Sequence, residues 1–511
     1  MRGLAGALVL LALWQGLAAL TTGAFLLAGP AQVAQWLAAH PGLVWRATSE
    51  TLTNAVWGFL AGNLAALALA ALASVWPRSR DMVAGLALVV FCLPLVATAP
   101  ILRVLLGPGA GPQITLAALA VYYTTLVPLL AGLRATPEGW LDLLRVYGRG
   151  RLAALIHIRA RAALPYLMAG LQIAAPAAIL GAMVGEFTGA ERGLGVLTIR
   201  FGRALDVAGL WSVALIAAAL SMAAYAAIGA LARRLALDEP PVILTPPRLI
   251  AGGLRHRAGV LAGLVALTLL LWWGAMEALE LNRFFAKRPG DLWAALTQAP
   301  AADARRATLW QAALETARYL APGYLAGLAL GAGLAVALSL APAAGAVVTP
   351  LVVALRAIPI ITTAPLIVLA AGRGAVGTIT IVAVMVFFPT LVACQHGLSQ
   401  APGRILDLLR SHAAGPWLRL IHVGLPAMLP SLFAAARMSL PAAVLAVTVA
   451  EWLATGRGLG HLMALSASLS DYTMLWLCVV VVTLASGAGY AVIAALERRV
   501  LAIYAPEQMQ P

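Results

Sequence analysis

The sequence has few charged residues. Only 10% of its 511 positions are Asp, Glu, Lys or Arg, whereas 62% are hydrophobic and the mean hydropathy is +0.93. About a quarter of the residues in a soluble globular domain are charged, so this composition excludes an ordinary soluble protein. Apolar stretches of about 20 residues, the length that crosses a bilayer, recur along the whole chain. The composition therefore predicts an all-α integral membrane protein.

Lysine is almost absent, and the formal net charge of +15 comes from arginine. Lys287 is the single lysine, and most arginines lie in short loops between apolar stretches. This distribution follows the positive-inside rule, so no nucleic-acid partner is predicted. The arginines of loops 134–161 and 404–419, with those near both ends of the chain, predict that both termini are cytoplasmic. Five arginines go against this bias: Arg192, Arg200, Arg203, Arg305 and Arg306.

Cysteine is rare and widely spaced. Cys92, Cys394 and Cys478 each lie within an apolar stretch, and they show neither disulfide nor metal-ligand spacing. The sequence also lacks the Gly-x4-Gly-Lys-Ser/Thr motif of a phosphate-binding loop. No cluster of nucleophile, base or metal ligands falls within the apolar stretches. We therefore predict that the chain is not an enzyme and holds no metal or cofactor of its own.

Twelve apolar stretches form two sets of six. They lie near residues 4–28, 51–75, 82–106, 114–134, 163–186, 207–232, 258–280, 313–340, 346–371, 375–396, 427–451 and 472–497. A shift of 265 positions superimposes the two sets and keeps rare residues in register: Pro94 with Pro359, Pro100 with Pro365, Trp211 with Trp476, and LDLLR at 141–145 with LDLLR at 406–410. Shared hydrophobicity cannot align such residues, so the chain contains an internal repeat. Since six is an even number of spans, the two units are predicted to run parallel in the membrane.

The predicted boundaries follow from this repeat. Residues 1–235 form the first six-helix unit, and residues 258–511 form the second. Residues 236–257 form a cytoplasmic linker, because its DEPP and TPP runs cannot continue a helix. The first apolar stretch lacks a cleavage site and is predicted to remain as a membrane helix.

The longest loop of each half follows one plan. It begins with LDLLR, breaks, and continues as a second apolar piece into the next span. A short amphipathic helix at the membrane surface suits insertion into a groove of a soluble partner. It also suits packing against lipid headgroups, and the physics of the loop leaves both alternatives open.

These loops resemble the coupling loop of ABC importer permeases, whose pattern is EAA-x3-G-x9-I-x-L-P. In the first half the corresponding residues are Asp142, Leu143, Leu144, Gly148, His157 and Ile158, and Ala160-Arg161 replace the Leu-Pro. In the second half they are Asp407, Leu408, Leu409, Ala413 in place of Gly, His422, Val423, Leu425 and Pro426. The resemblance implies the type I ABC importer permease fold with twelve transmembrane helices. It also implies that the loops dock on two copies of an ATP-binding cassette subunit, which would carry the ATP and Mg.

Each half also contains an acidic residue followed by Gly-Leu-Gly. Glu186 precedes residues 193–195, and Glu451 precedes residues 458–460. Permeases of the nitrate/sulfonate/taurine type have this phrase just after the span that follows the coupling loop, and the resemblance covers nearly the whole chain. Each glutamate lies about 30 Å along a helix from the loop, so both are predicted at the external mouth. They either gate the pathway or contact an extracytoplasmic binding protein, or they accept hydrogen bonds from the following turn.

Polar and helix-breaking residues within the spans are candidate pathway residues. Pro176 and Pro441 each free a backbone carbonyl in the same helix of their halves. Gln172 and Arg437 are equivalent positions, and an intramembrane arginine is a candidate ligand for an anion. The alternative is that Arg437 reaches the cytoplasmic face or pairs with the coupling loop. The remaining candidates flank the paired prolines of the third and ninth spans: Thr98, Thr362 and Thr363.

The sequence therefore predicts the permease of an ABC importer in the bacterial cytoplasmic membrane. The resemblance implies that separate subunits hydrolyse ATP and that an extracytoplasmic binding protein delivers a small organic or inorganic anion, or a solute like a vitamin precursor. The alternative is an ion-coupled secondary transporter with two parallel six-helix halves. Such a transporter needs a titratable residue near the midplane, and no buried Asp, Glu or His is predicted there.

Overall fold

The chain is helical throughout the part that the structure describes. The computed structural model describes residues 27–136, 138–235, 254–345 and 360–504, together with 12, 14–16, 18–20 and 348. Within these ranges nine helices are long and apolar enough to cross a membrane, and a bent pair of helices adds a tenth. The predicted spans 4–28 and 346–371 fall partly outside the described residues. The all-α membrane fold is confirmed, and ten of the twelve predicted spans are described.

The first half contains the helices α1 to α10. They are α1 (Pro30–Ala39), α2 (Pro41–Val75), α3 (Arg80–Phe91), α4 (Leu95–Leu106), α5 (Gly111–Arg134), α6 (Glu138–Val146), α7 (Arg151–Ala154), α8 (Ala160–Phe187), α9 (Leu194–Ala204) and α10 (Val207–Arg234). A π-helical turn over residues 155–159 joins α7 to α8.

The second half contains the helices α11 to α20. They are α11 (Leu254–Ala278), α12 (Pro289–Thr297), α13 (Ala302–Leu340), α14 (Ile360–Ala371), α15 (Ala375–Ser399), α16 (Gly403–Ser411), α17 (Pro416–Arg419), α18 (Leu425–Ala450), α19 (Gly458–Ser468) and α20 (Tyr472–Tyr504). The bounds of α14, α16 and α17 are those of α4, α6 and α7 shifted by 265 positions. The repeat is therefore visible in the helix bounds as well as in the sequence.

One predicted span is bent in the structure. The predicted span 82–106 is not one straight helix, because α3 and α4 meet at an angle of 91°. Pro94 stands at the start of α4, where its missing N–H and its restriction of the preceding residue prevent α3 from continuing. Helix α11 begins at Leu254, within the predicted linker 236–257, and its candidate membrane span begins at Ala258. Residues 236–253 of the predicted linker lie outside the described residues.

Small residues bring the long helices of each half into close contact. A Cβ on Gly62 of α2 would lie 2.5 Å from the carbonyl oxygen of Ala118 in α5. At the equivalent place in the second half, a Cβ on Gly327 of α13 would lie 2.6 Å from the carbonyl oxygen of Ala383 in α15. Such close backbone approach is how small residues stabilise helix pairs in membranes. The two halves therefore share their internal packing.

Helices α4 and α14 join the two halves. Helix α4 contacts α18, α19 and α20 of the second half, and α14 contacts α8, α9 and α10 of the first half. The same short helix of each half therefore packs against the opposite half. This reciprocal exchange makes the interface between the halves part of the hydrophobic core.

Candidate functional site

Two amphipathic segments end their first helix in the same way. We define the first amphipathic segment as residues 138–159 and the second as residues 403–424. The amide of Arg149 donates to the carbonyl of Leu144 at 3.0 Å, and the amide of Ala414 donates to that of Leu409 at 2.9 Å. This is the bond of a Schellman motif, which requires a left-handed residue after the helix.

The left-handed residues are Gly148 in the first segment and Ala413 in the second. Their φ angles are +64° and +56°. Glycine adopts this conformation without strain, whereas alanine pays for the contact between its Cβ and its own backbone. The glycine of the coupling-loop pattern therefore corresponds to a position with a left-handed backbone. In the second half, Ala413 adopts this conformation with backbone strain.

Each segment then continues through a short helix and a π-helical turn. His157 and His422 lie in these turns, are exposed, and donate from Nδ1 to the carbonyls of Ala153 and Leu418, each at 3.0 Å. Ile158 is half-buried and Val423 is buried. In the second half, Leu425 and Pro426 begin α18, where a proline in the first turn is tolerated.

Both segments present apolar side chains on their surfaces. Leu143 and Leu408 occupy equivalent positions and are 58% and 57% exposed. Leu144 and Leu409 are half-buried, while Asp142 and Asp407 are exposed. Other large exposed apolar side chains of the two segments are Trp140, Val146, Tyr147, Leu152, Ile156, Ile405, Trp417, Leu418 and Ile421. Clusters of this kind mark surfaces for a protein partner or for membrane.

The two glutamates lie at the other ends of α8 and α18, and both side chains are fully buried. Oε2 of Glu186 accepts a hydrogen bond from the amide of Gly195 at 2.9 Å, and Oε2 of Glu451 accepts one from the amide of Gly460 at 2.7 Å. In the first half, the Thr51 hydroxyl of α2 also donates to Glu186 Oε2 at 2.9 Å. Both carboxylates therefore accept hydrogen bonds from the glycine-rich turn that follows them, which is one of the alternatives that the sequence left open.

The glycines of the repeated phrase leave room for these carboxyl groups. A Cβ on Gly193 would lie 2.2 Å from Cδ of Glu186, and a Cβ on Gly458 would lie 2.2 Å from Oε1 of Glu451. A side chain on Gly195 would meet the carbonyl oxygen of Met183 at 2.4 Å. The glutamate and the Gly-Leu-Gly motif occur together in both halves because, in each half, the glycine-rich turn packs over the buried carboxyl group.

A cavity of about 2930 Å³ lies between the halves. Helices α8 and α18 contribute lining residues from equivalent positions, including Leu180 and Leu445. Of the nine predicted pathway residues, the cavity is lined by Thr363, Arg437 and Pro441. Most of the lining side chains are apolar, which is typical of ligand cavities that carry a few polar groups.

Arg437 forms an ion pair that the sequence reasoning missed. Its Nη1 lies 2.9 Å from Oε2 of Glu497 in α20, and the two side chains are only 11% and 13% exposed. The guanidinium also lies over the ring of Tyr490 at 5.9 Å from its centroid. Arg437 therefore pairs with α20, a partner that none of the alternatives from the sequence named.

Glu497 also lines the cavity. Glu186 and Glu451 are buried at the ends of α8 and α18, and the nearly buried Glu497 lies in the last third of α20, so none of them contradicts the expectation that no acidic residue lies near the midplane. The sequence contained a signal for this ion pair. A buried arginine needs an anionic partner, and Glu497 lies in one of the spans of the same half as Arg437.

The other predicted pathway residues do not line the cavity in the described part of the chain. Thr98 donates from its hydroxyl to the carbonyl of Leu95 at 3.0 Å, which is the backbone bond common for threonine in helices. Thr362 is fully buried, and Pro176 lies inside α8 beside the lining residue Ala177. Gln172 faces Gly229, where a Cβ would lie 2.6 Å from its Nε2.

Comparison with known proteins gives a repeated match. The family described as "Binding-protein-dependent transport system inner membrane component" matches residues 58–237 and again residues 323–502. The two matches begin 265 positions apart, which is the shift found in the sequence.

Individual relatives each match less than half of the chain. A probable ABC transporter permease protein of Haemophilus influenzae is 34% identical over 229 residues, which cover 44% of this chain and 93% of the relative. The riboflavin transport system permease protein RibX of Chloroflexus aurantiacus is 32% identical over 232 residues, or 45% and 86% of the two chains. The taurine transport system permease protein TauC of Escherichia coli is 25% identical over 202 residues, or 39% and 74%.

Proposed function

Because the chain belongs to the family of binding-protein-dependent transport system inner membrane components, and carries two fused units of an ABC importer permease, we propose that it forms the whole membrane pathway of its importer. Separate ATP-binding subunits dock on the two amphipathic segments, one on each. A binding protein on the external side delivers the solute, and both termini lie in the cytoplasm. The chain itself catalyses no covalent reaction.

The observation that carries this proposal is the position of the amphipathic segments. Each segment exposes a leucine at the same place and leads through a π-helical turn into α8 or α18. These two helices line the cavity between the halves. When the docked subunits move, they therefore displace one end of α8 and α18, the helices that line the solute cavity.

The solute is proposed to be a small anion or a compound like a vitamin precursor. Arg437 brings a guanidinium to the cavity, although Glu497 offsets its charge. Relatives are named for riboflavin, formylaminopyrimidine and taurine transport, and these names support the same range of solutes. The binding protein sets the choice among them.

The test is to purify the chain from its native membrane in mild detergent and to measure what accompanies it. We expect an ATP-binding subunit at two copies per chain. Leu143→Asp and Leu408→Asp should each remove one copy, and the double variant should remove both, because an aspartate cannot enter an apolar groove. Leu469→Asp is the matched control, since Leu469 is also exposed, at 69%, but lies at the end of α19.

The opposite result would identify the alternative function. A chain that purifies alone and moves solute along a proton or sodium gradient would be a duplicated secondary transporter. That alternative needs a titratable residue near the midplane, whereas Glu186 and Glu451 lie at the ends of α8 and α18 and Glu497 lies in the last third of α20. Two copies of the companion on the native chain would exclude it.

A further inference from the structure

Two aromatic residues at equivalent positions touch each other across the halves. Phe187 directly follows Glu186, and Trp452 directly follows Glu451. Their ring centroids are 5.9 Å apart and their planes meet at 77°, which is the edge-to-face geometry that aromatic pairs favour. In two parallel repeats related by an axis along the membrane normal, equivalent residues that touch lie at that axis. The pair therefore lies where a central pathway would pass.

The cavity stops short of this pair along the two helices that carry it. Among the described residues that line the cavity, Leu180 is the last in α8 and Leu445 is the last in α18. These are equivalent positions, seven residues before Phe187 and Trp452, or about 10 Å along a helix. In the other direction the lining reaches Pro402, which caps the first helix of the second amphipathic segment. Along α8 and α18 the cavity therefore stops before the aromatic pair, while Trp211 and Trp476, in the first turns of α10 and α20, also line it.

The buried glutamates fix the aromatic residues within their own halves. Glu186 ties the end of α8 to Gly195 and to Thr51 of α2. In the second half Glu451 binds Gly460, and Thr316 of α13 accepts a hydrogen bond from Leu459 at 2.9 Å. Each ring is held by its own half, so a movement of one half against the other separates the rings.

We propose that Phe187 and Trp452 form the closed gate of the pathway at the end away from the amphipathic segments, and that Glu186 and Glu451 are positioning residues for this gate. The proposal rests on the proposed function for the direction of transport. The gate is closed in this structure, while the cavity communicates with the segment end. Docked ATP-binding subunits open the gate by moving the halves apart at this point.

The test measures access to the cavity and needs no known solute. Leu180→Cys is introduced into a chain with Cys92→Ala, Cys394→Ala and Cys478→Ala, and a membrane-impermeant methanethiosulfonate cation is applied to either side of membrane vesicles. We expect labelling from the cytoplasmic side and little from the external side. Adding Phe187→Ala and Trp452→Ala should raise the external labelling rate about tenfold, which corresponds to ~1.4 kcal/mol of lost closing energy.

Control variants separate a gate from a general loss of structure. Phe187→Leu with Trp452→Phe keeps large apolar side chains and should restore low external labelling. Glu186→Ala should raise external labelling less than the double aromatic variant, because the rings remain but their helix end is loosened. External labelling of Leu180→Cys that is already fast with both rings present, or unchanged when both are removed, would overturn the gate.

A cross-linking measurement ties the gate to ATP. Phe187→Cys and Trp452→Cys are introduced together into the same cysteine-free chain, and a protease site is placed in the linker 236–253. After cleavage at this site, the two halves stay joined only if the two cysteines have formed a cross-link. We expect an oxidant to join the halves, and trapping of the ATP-binding subunits with vanadate to prevent it. A cross-link that forms equally in both states would overturn the opening step. Failure to find any ATP-binding companion would refute the proposed function, while the labelling result would still decide the gate.

Discussion

The two halves share a backbone but differ in the charges that they place beside the cavity. In the first half, Gln172 faces Gly229. At the equivalent place in the second half, Arg437 pairs with Glu497 and lies over Tyr490. Two identical copies of one permease unit could not differ in this way, so fusion allows the halves to carry different side chains at equivalent positions.

The difference extends to the helix that carries these residues. In the second half the hydroxyl of Tyr324 in α13 donates to the carbonyl of Ala436 at 2.6 Å, just before Pro441. Phe59 stands at the equivalent position of the first half and has no hydroxyl. The second half therefore anchors its proline-containing helix more firmly, and it does so beside the ion pair.

Breaking the ion pair should give the largest effect. Glu497→Ala leaves the guanidinium of Arg437 buried without its partner, which should cost about 3 kcal/mol of stability. Arg437→Gln with Glu497→Ala copies the first half, where Gln172 and Ala232 stand, and should recover most of that loss. Thermal unfolding in detergent should therefore rank the double variant above the single one.

The control for this prediction is an exposed ion pair. Asp407 and Arg410 lie 3.0 Å apart with side chains 71% and 61% exposed, so Asp407→Ala should change stability by less than about 1 kcal/mol. If Glu497→Ala behaves like Asp407→Ala, the second half does not depend on its buried pair. If the double variant is no more stable than Glu497→Ala, the comparison between the halves fails.

The glycine-rich turns are the region where the halves should behave alike. Gly193 and Gly458 have φ angles of +127° and +89°, and a Cβ on either would meet the carboxyl group of its glutamate. Gly193→Ala and Gly458→Ala should therefore each cost about 2 kcal/mol or more, through backbone strain and a displaced buried carboxylate. Equal losses in apparent melting temperature would confirm that both turns fold over their glutamates.

A third glycine separates the two causes. Gly107 has a φ of +76°, but nothing lies within 4 Å of a Cβ placed there. Gly107→Ala should therefore show the cost of backbone strain alone, about 1–3 kcal/mol. Losses at Gly193 and Gly458 that only match the loss at Gly107 would mean that the contact with the carboxyl group contributes nothing.

The sequence predicted the repeat and most helices because it contains rare residues in fixed register. Tryptophan, histidine and proline 265 positions apart cannot align by composition alone, and the helix bounds follow them. It did not predict which proline bends a helix. Pro100 lies inside α4, whereas Pro94 stands at the 91° bend, and only packing against neighbouring helices distinguishes them.

The candidate site was predictable where it depends on local sequence and not where it depends on packing. The left-handed residue Gly148 belongs to a single turn, and the hydrogen bond from Gly195 to Glu186 joins residues nine positions apart. Glu497 is 60 positions from Arg437 and on another helix, so no periodicity joins them. The contact between Phe187 and Trp452 spans the two halves and needed the assembled fold.

The smallest predicted effect concerns the left-handed residue of the amphipathic segments. Ala413 is exposed and has a φ of +56°, so Ala413→Gly should remove strain without losing a contact and stabilise the chain by about 0.5–1 kcal/mol. Gly148→Ala should destabilise it by about the same amount, because a Cβ at Gly148 meets no atom within 4 Å and adds only strain. Apparent melting temperatures that shift in opposite directions would support this reading. A loss of stability on Ala413→Gly would mean that the methyl group makes a stabilising contact, and the two segments would then differ in more than backbone strain.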